Sequence, residues 1–425
     1  MNCESKSKSR AFLRSPLALT ICLFCAAGSR AAAQSGSPKL TTAADLFADQ
    51  PKGLSDKIVA WKLNYVGEVF GNPSGGDRQG AVYNGYVKFG IGLNLKKACG
   101  WDGASLYANM LYPHGPSLTR NFVHDLNVIS NIDGYDSARL YKFWFQKNFA
   151  DDHFSFRIGQ MAADKEFFAS DSSALFINNA FGTPPVFSQS IPAPIYPVSA
   201  PGIRLRWNPS PAFSLRTALF SGDVGSQTAN QHQTRVHITS QNGALMLVEA
   251  SYRTNQAEGA TGLPGTFKLG GYYDTKDFAD HRSGVQHHGD GGIYFVADQQ
   301  VYREAAKDGS ARGLAAFVRL GLVPRDRNLV DFEMETGLNY VGLLRARAND
   351  IAGVGFAYTH LSPREQEVTV SSVSTHHEAI LEASYLAVIS SWCSLQPDVQ
   401  YIFNPGGVTR QRDALVLGLR LNLSF

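Results

Sequence analysis

The chain has 425 residues, 44% of them hydrophobic and 18% charged, with 40 glycines and 17 tyrosines. Its 39 basic and 36 acidic residues give a formal charge of +3, but five of those cations and one acid fall within residues 1–33. The remainder is close to neutral, so it lacks the basic footprint that nucleic acid requires. It also lacks an 18-residue apolar run that would make a membrane-spanning helix.

Residues 1–33 read as a secretory signal peptide. Lys6, Lys8, Arg10 and Arg14 make a basic start, "PLALTICLFCAAG" supplies an apolar core, and Ala31–Ala33 offer an A-x-A cleavage site. The core is too short to span a bilayer as a helix. Cys3, Cys22 and Cys25 leave with this segment, and the two that remain, Cys99 and Cys393, make no disulfide framework. Residues 34–57 are expected to form an N-terminal periplasmic segment.

From residue 58 onward, apolar and polar side chains alternate with period 2, the pattern of a half-buried strand. Sixteen segments show it, at about 58–70, 81–95, 103–112, 139–149, 153–161, 201–208, 212–222 and 244–253 in the first half. The second half adds 265–275, 291–303, 312–322, 329–343, 350–361, 376–389, 392–403 and 413–425. In the first, Val59, Trp61, Leu63 and Tyr65 oppose Lys62, Asn64 and Glu68. In the last, "ALVLGLRLNLSF", Leu415, Leu417, Leu419, Leu421, Leu423 and Phe425 share one face, opposite Arg420, Asn422 and Ser424. A 3.6-residue period would scatter both sets around a helix.

The connections alternate too. Even-numbered ones are mostly tight ("KKACGWD", "NPSP", "SS"), although the eighth and tenth run longer. Odd-numbered ones are longer and rich in Gly, His and charge, as in "GNPSGGDRQG", "TKDFADHRSGVQHHGDG" and "SPREQEVTVSSVSTH". Tight periplasmic turns and long external loops are what an outer-membrane barrel requires. The expectation is an all-β fold over 58–425, a transmembrane antiparallel barrel of about 16 strands whose last strand pairs with its first. Its oily face then meets outer-membrane lipid, and its polar face encloses water.

Several stretches carry a family resemblance. "GEVFGNPSGG" (67–76), "GWDGA" (100–104), "GQMAADKEFFAS" (159–170), "LFINNAFG" (175–182) and "YPVSAPGIRLRWNP" (196–209) come first. "ADQQVYRE" (297–304), "RGLAAFVRLGLVPRDRN" (312–328), "GLNYVGLL" (337–344), "QPDVQYIFNPGG" (396–407) and the terminal strand follow. In these pieces, and in their order, the chain resembles the carbohydrate-selective porins of the OprB type. It departs from them where the family opens with a "GDWGG"-like segment, since "ADLFADQPKGLSDKI" stands there instead. The resemblance implies a 16-stranded barrel that passes sugars, chiefly monosaccharides such as glucose, down their gradient across the outer membrane of a Gram-negative bacterium. It implies no cofactor and no metal.

The third odd connection, about Ala162 to Ala200, holds Phe167, Phe168, "ALFINNAF" and five prolines. Such an apolar loop is a liability in bulk water and no further strand pair, so it is expected to fold into the lumen and narrow it. Covering a subunit interface is the alternative use, and the composition suits a monomer or a homo-oligomer equally. A sugar stacks its C–H faces on rings and hydrogen-bonds its hydroxyls to planar charged groups. Candidates on polar faces are Arg157, Arg204, Arg206 and Arg319, with Asp164, Glu166, Glu333 and Glu335 as acids and Trp144 as a stacking platform. Each inward Arg or Glu also suits a salt-bridge ladder that holds strands in register, and Trp144 suits an interfacial girdle. Arg204 and Arg206 directly follow the proline-rich connection and are favoured.

His287–His288 and His376–His377 have no partner spacing for zinc. "GIGLNL" is glycine within a strand rather than a phosphate loop, and no nucleophile elbow is present. Three other readings remain distinguishable by experiment. A general ion-conducting porin would show no sugar block of its current, a barrel enzyme such as a lipase would need a Ser/His set, and a secreted lectin would need no detergent.

Overall fold

The computed structural model describes residues 54–236, 238–256, 262–280, 282–304, 312–362, 376–408 and 411–425. The signal peptide read at 1–33, and the periplasmic segment at 34–57 up to residue 53, lie outside the described residues.

Sixteen strands follow in the predicted order. The first four are β1 (Val59–Gly76), β2 (Gly80–Asn94), β3 (Ala104–His114) and β4 (Arg139–Phe149). Next come β5 (Phe154–Met161), β6 (Ala200–Trp207), β7 (Phe213–Ser221) and β8 (Ala244–Thr254). The third group is β9 (Gly265–Ala279), β10 (Gln286–Arg303), β11 (Gly313–Leu322) and β12 (Val330–Val341). β13 (Ile351–Leu361), β14 (His377–Ser390), β15 (Cys393–Phe403) and β16 (Arg412–Ser424) complete the set. Every strand pairs antiparallel with its chain neighbours, and β1 pairs with β16, so the sheet closes into a barrel. At that seam Glu68 lies opposite Arg420, and Leu63 and Phe425 exchange backbone hydrogen bonds of 3.0 and 2.8 Å. Neither terminal strand is left as an edge.

Two expected loops are largely strand. β1 runs on through "GNPSGG", with register shifts after Gly71 and Ser74. Asn72 makes this possible: its amide donates to the carbonyls of Gly75 and Arg78 at 3.0 and 2.8 Å and accepts from Gly80 N at 3.0 Å. Those bonds replace the ladder where the hairpin turns. β9 and β10 likewise extend to Ala279 and from Gln286, leaving only 280–285 as the connection. The long odd connections among the described residues are 115–138, 162–199 and 222–243, all at one end of an up-and-down barrel.

Burial is the reverse of a soluble protein's. On β16, Leu417 and Leu419 are 46% and 51% exposed, whereas Arg420 is 1% exposed. Glu335, Glu382 and Arg319 are likewise enclosed, while Leu338, Val354 and Leu381 face outward. Outward aromatics gather near the short turns: Phe154 stacks on Trp207 at 6.4 Å, and Trp392 on Phe425 at 6.1 Å. Such rings suit the membrane–water boundary.

Buried apolar side chains concentrate where the 162–199 segment meets the polar face of the wall. Leu175, Phe176, Ile177 and Phe181 pack with Phe317, Ile351, Ala357 and Ile380. Phe167, Phe168 and Phe187 pack with Trp144, Phe220, Tyr272 and Tyr294. The strand facing the first group carries glycines in place of side chains. A Cβ on Gly355 would lie 2.8 Å from the Phe181 ring, and one on Gly353 2.5 Å from Leu175.

Candidate functional site

The 162–199 segment has little regular structure of its own, three short helical turns at Ser173–Leu175, Asn179–Phe181 and Pro185–Ser188. Its backbone polar groups therefore need partners elsewhere, and the wall supplies them. Glu249 of β8 accepts from Phe168 N at 2.9 Å, Asp298 of β10 from Ser172 N at 3.1 Å, and Glu333 of β12 from Val186 N at 2.9 Å. Glu382 of β14 accepts from Ile177 N and Asn178 N. Arg319 of β11 works in the opposite sense, donating to the carbonyls of Ala180, Gly182 and Phe168 at 2.6, 2.8 and 3.3 Å. Residues from alternate positions of five strands thus hold one segment.

Beside that segment lies a cavity of about 440 Å³. Arg157, Arg204, Arg206, Arg216, Asp164 and Glu166 are in its lining. Glu166 is the hub. Its Oε1 accepts from Arg157, and its Oε2 sits 2.7 Å from Arg204 Nε. Arg216 Nη1 donates to the Glu166 carbonyl at 2.7 Å and lies 3.4 Å from Glu249 Oε1. Gln146 of β4 ties the arginines from the other side, accepting from Arg157 Nε at 3.0 Å and from Arg204 Nη2 at 3.0 Å. Burial alone would raise the Glu166 carboxyl, but Arg157, Arg204, Arg216 and Lys142 outweigh it and hold it below the usual carboxylate range.

Five of the nine sequence candidates, Arg157, Arg204, Arg206, Asp164 and Glu166, meet at this cavity. Arg319, Glu333 and Glu335 do not line it. Arg319 is spent on the loop carbonyls and on Glu335, its cross-strand partner at 2.9 Å, and Glu333 on Val186 N. Arg319 and Glu333 bond the segment directly, Glu335 pairs with Arg319, and all three are buried. Trp144 is on the enclosed face but is 1% exposed, with the Arg157 guanidinium 3.9 Å above its ring and Tyr107 beside it. Its ring face presents itself to a cation and is not open to a sugar.

Sequence reasoning missed Arg216 and Gln146. Arg216 shares a face with Ser214 and Ala218 on β7, so the same alternation could have found it. Another unanticipated grouping lies between hairpin ends, where His287 Nε2 is 3.4 Å from Asp326 and 3.9 Å from Asp280. Arg327 already takes both Asp326 oxygens at 2.9 Å, and Asp280 accepts from Arg282 N and Ser283 N. This is the pattern of a polar network joining two connections, anchored by the Arg327–Asp326 ion pair.

Comparison with known proteins agrees with this architecture. The model of the family described as carbohydrate-selective porin, OprB family, matches residues 78–425. Porin B of Pseudomonas aeruginosa is 26% identical over 459 aligned positions, covering 96% of this chain and 98% of that protein. The high-pH structure of Pseudomonas putida OprB superposes with a TM-score of 0.78 at 27% identity, covering 88% of this chain and 95% of that one. The outer membrane channel DcaP of Acinetobacter baumannii, 11% identical with a TM-score of 0.51 over 86% of this chain and 97% of that one, shares the fold alone.

Proposed function

We propose, since the chain belongs to the OprB family of carbohydrate-selective porins, that it is a passive outer-membrane pore whose selectivity is set where the 162–199 segment narrows the lumen. In this reading the segment lies inside the barrel, and monosaccharides such as glucose pass through the cavity beside it. Transport needs no cofactor, metal or catalytic step. Residues 1–33 direct export and are removed, and 34–57 stay on the periplasmic side.

One observation carries the reading: Glu166 is held among Arg157, Arg204 and Arg216 on the wall of a single cavity. Planar guanidinium groups and carboxylates hydrogen-bond vicinal hydroxyls, and a set of both signs spares the site from selecting ions alone. The groups are already paired with each other, so a sugar exchanges hydrogen bonds rather than gaining them from nothing. Weak binding follows, which a conducting pore needs.

Liposome swelling with a panel of sugars tests this. Glucose and other monosaccharides should enter clearly faster than disaccharides. Equal rates for both classes would refute a constriction of monosaccharide size.

A further inference from the structure

The charges around the cavity do not balance. Arg157, Arg204, Arg206, Arg216, Lys88 and Lys165 line it, against Asp164, Glu166 and Asp171. The acids at its centre are also committed. Glu166 gives one oxygen to Arg157 and the other to Arg204, and Glu249 receives Arg216 from outside the lining.

Arg206 is the guanidinium left over. It sits on β6, half-buried, two residues beyond Arg204 on the same face. Its Nε is enclosed and has no hydrogen-bond partner among the described residues. Arg206 makes no ion pair with a described residue, and its half-exposed terminal nitrogens, not the enclosed Nε, are the donors that an oxyanion entering the cavity could pair with. A neutral sugar hydroxyl answers such a donor less strongly than an ionised group does, because hydrogen bonds between ionised partners are roughly twice as strong.

We infer that the cavity prefers acidic hexoses, those carrying a carboxylate or a phosphate, over neutral ones, and that Arg206 receives the charged group. The remaining hydroxyls then meet the Glu166 cluster as they would in a neutral sugar. This inference rests on the monosaccharide reading above and specifies the substrate class within it. The charge excess draws acidic sugars into the constriction, and the preference weakens as salt screens it.

The test is single-channel current across a planar bilayer, at low and high salt, with glucose, glucuronate or glucose 6-phosphate added. At low salt, one or both acidic sugars should block at about tenfold lower concentration than glucose, and whichever does so identifies the anionic group. Acetate and inorganic phosphate serve as controls for anion effects without a sugar body. Arg206→Gln should shrink the ratio between acidic and neutral sugar, and Arg206→Lys, which keeps the charge without the planar fork, should shrink it less. The inference is overturned if both acidic sugars block no better than glucose, or if acetate or phosphate matches them. Glucose block that persists in that case leaves the monosaccharide reading standing. Absence of block by every sugar through an open channel would remove both.

Discussion

Glu166 and Arg204 face each other at 2.7 Å across the boundary between the 162–199 segment and the strand that follows it, β6. Both are largely enclosed, with side-chain exposures of 19% and 3%. The pair fixes the segment's start to the wall and cancels part of an arginine excess. Glu166→Gln keeps the shape but removes the charge, so the anion-to-cation permeability ratio should rise by about two- to tenfold. Reversal potentials in a salt gradient read this directly, and an unchanged ratio would place Glu166 away from the ion path.

Arg319 is expected to act by holding the segment. Replacing it with Leu strands three loop carbonyls and leaves Glu335, 1% exposed, without its partner, at a cost of about 3–5 kcal/mol. Arg319→Leu should give larger and noisier single-channel currents from a barrel that still migrates as folded in cold SDS. A quiet channel of unchanged size would show that the clasp is dispensable.

The seam offers a separate stability test. Arg420 reaches Glu68 through Nε at 2.8 Å and Nη2 at 2.7 Å, both residues being 1% exposed, and it also bonds Ser130 and Asn131. Glu68→Ala leaves a buried guanidinium where the sheet closes. The temperature at which the folded band is lost on SDS gels should fall, whereas Leu419→Val on the outward face should hardly move it.

Gly355 tests the close approach of segment and wall. With the Phe181 ring 2.8 Å from where its Cβ would be, Gly355→Val should push the ring away and widen the pore. Ala352→Val points outward on the same strand and is the control. Conductance that rises only in the first is the expected outcome, and equal effects would contradict it.

Acidification has a defined sign at Glu166. Its carboxyl is held below the ordinary range, so its contribution to docking is complete at neutral pH. It is lost only as the pH falls through that lowered value. The Glu166-dependent part of the conductance, read as the difference between the protein and Glu166→Gln, should stay level from pH 7 down to about 4 and change below that. A transition between pH 5 and 6 that Glu166→Gln abolishes would reverse the assignment.

Much of this was legible because lipid and lumen force strict alternation on each strand. Leu417, Leu419 and Arg420 declared their faces in the sequence, and the sixteen-strand order followed from the same rule. Hairpin lengths were less legible, since Asn72 extends β1 through side-chain bonds that alternation does not encode. The division of labour among inward arginines was hidden for a deeper reason. Arg206 and Arg319 look alike on their strands, and only the path of a segment more than a hundred residues from Arg319 decides that one meets carbonyls and the other a cavity. Gly353 and Gly355 read as ordinary strand glycines until Leu175 and Phe181 arrive beside them.

The central claim is that the 162–199 segment narrows the water-filled path, and thiol labelling tests it most directly. Single cysteines would be placed at Ala169, Ser170, Ala174 and Thr183, all lining the cavity, after Cys99 and Cys393 are changed to Ser. A bulky methanethiosulfonate reagent should lower single-channel conductance at most of these positions, and a label at outward Leu419 should not. Conductance unchanged with every label in the segment would contradict the account.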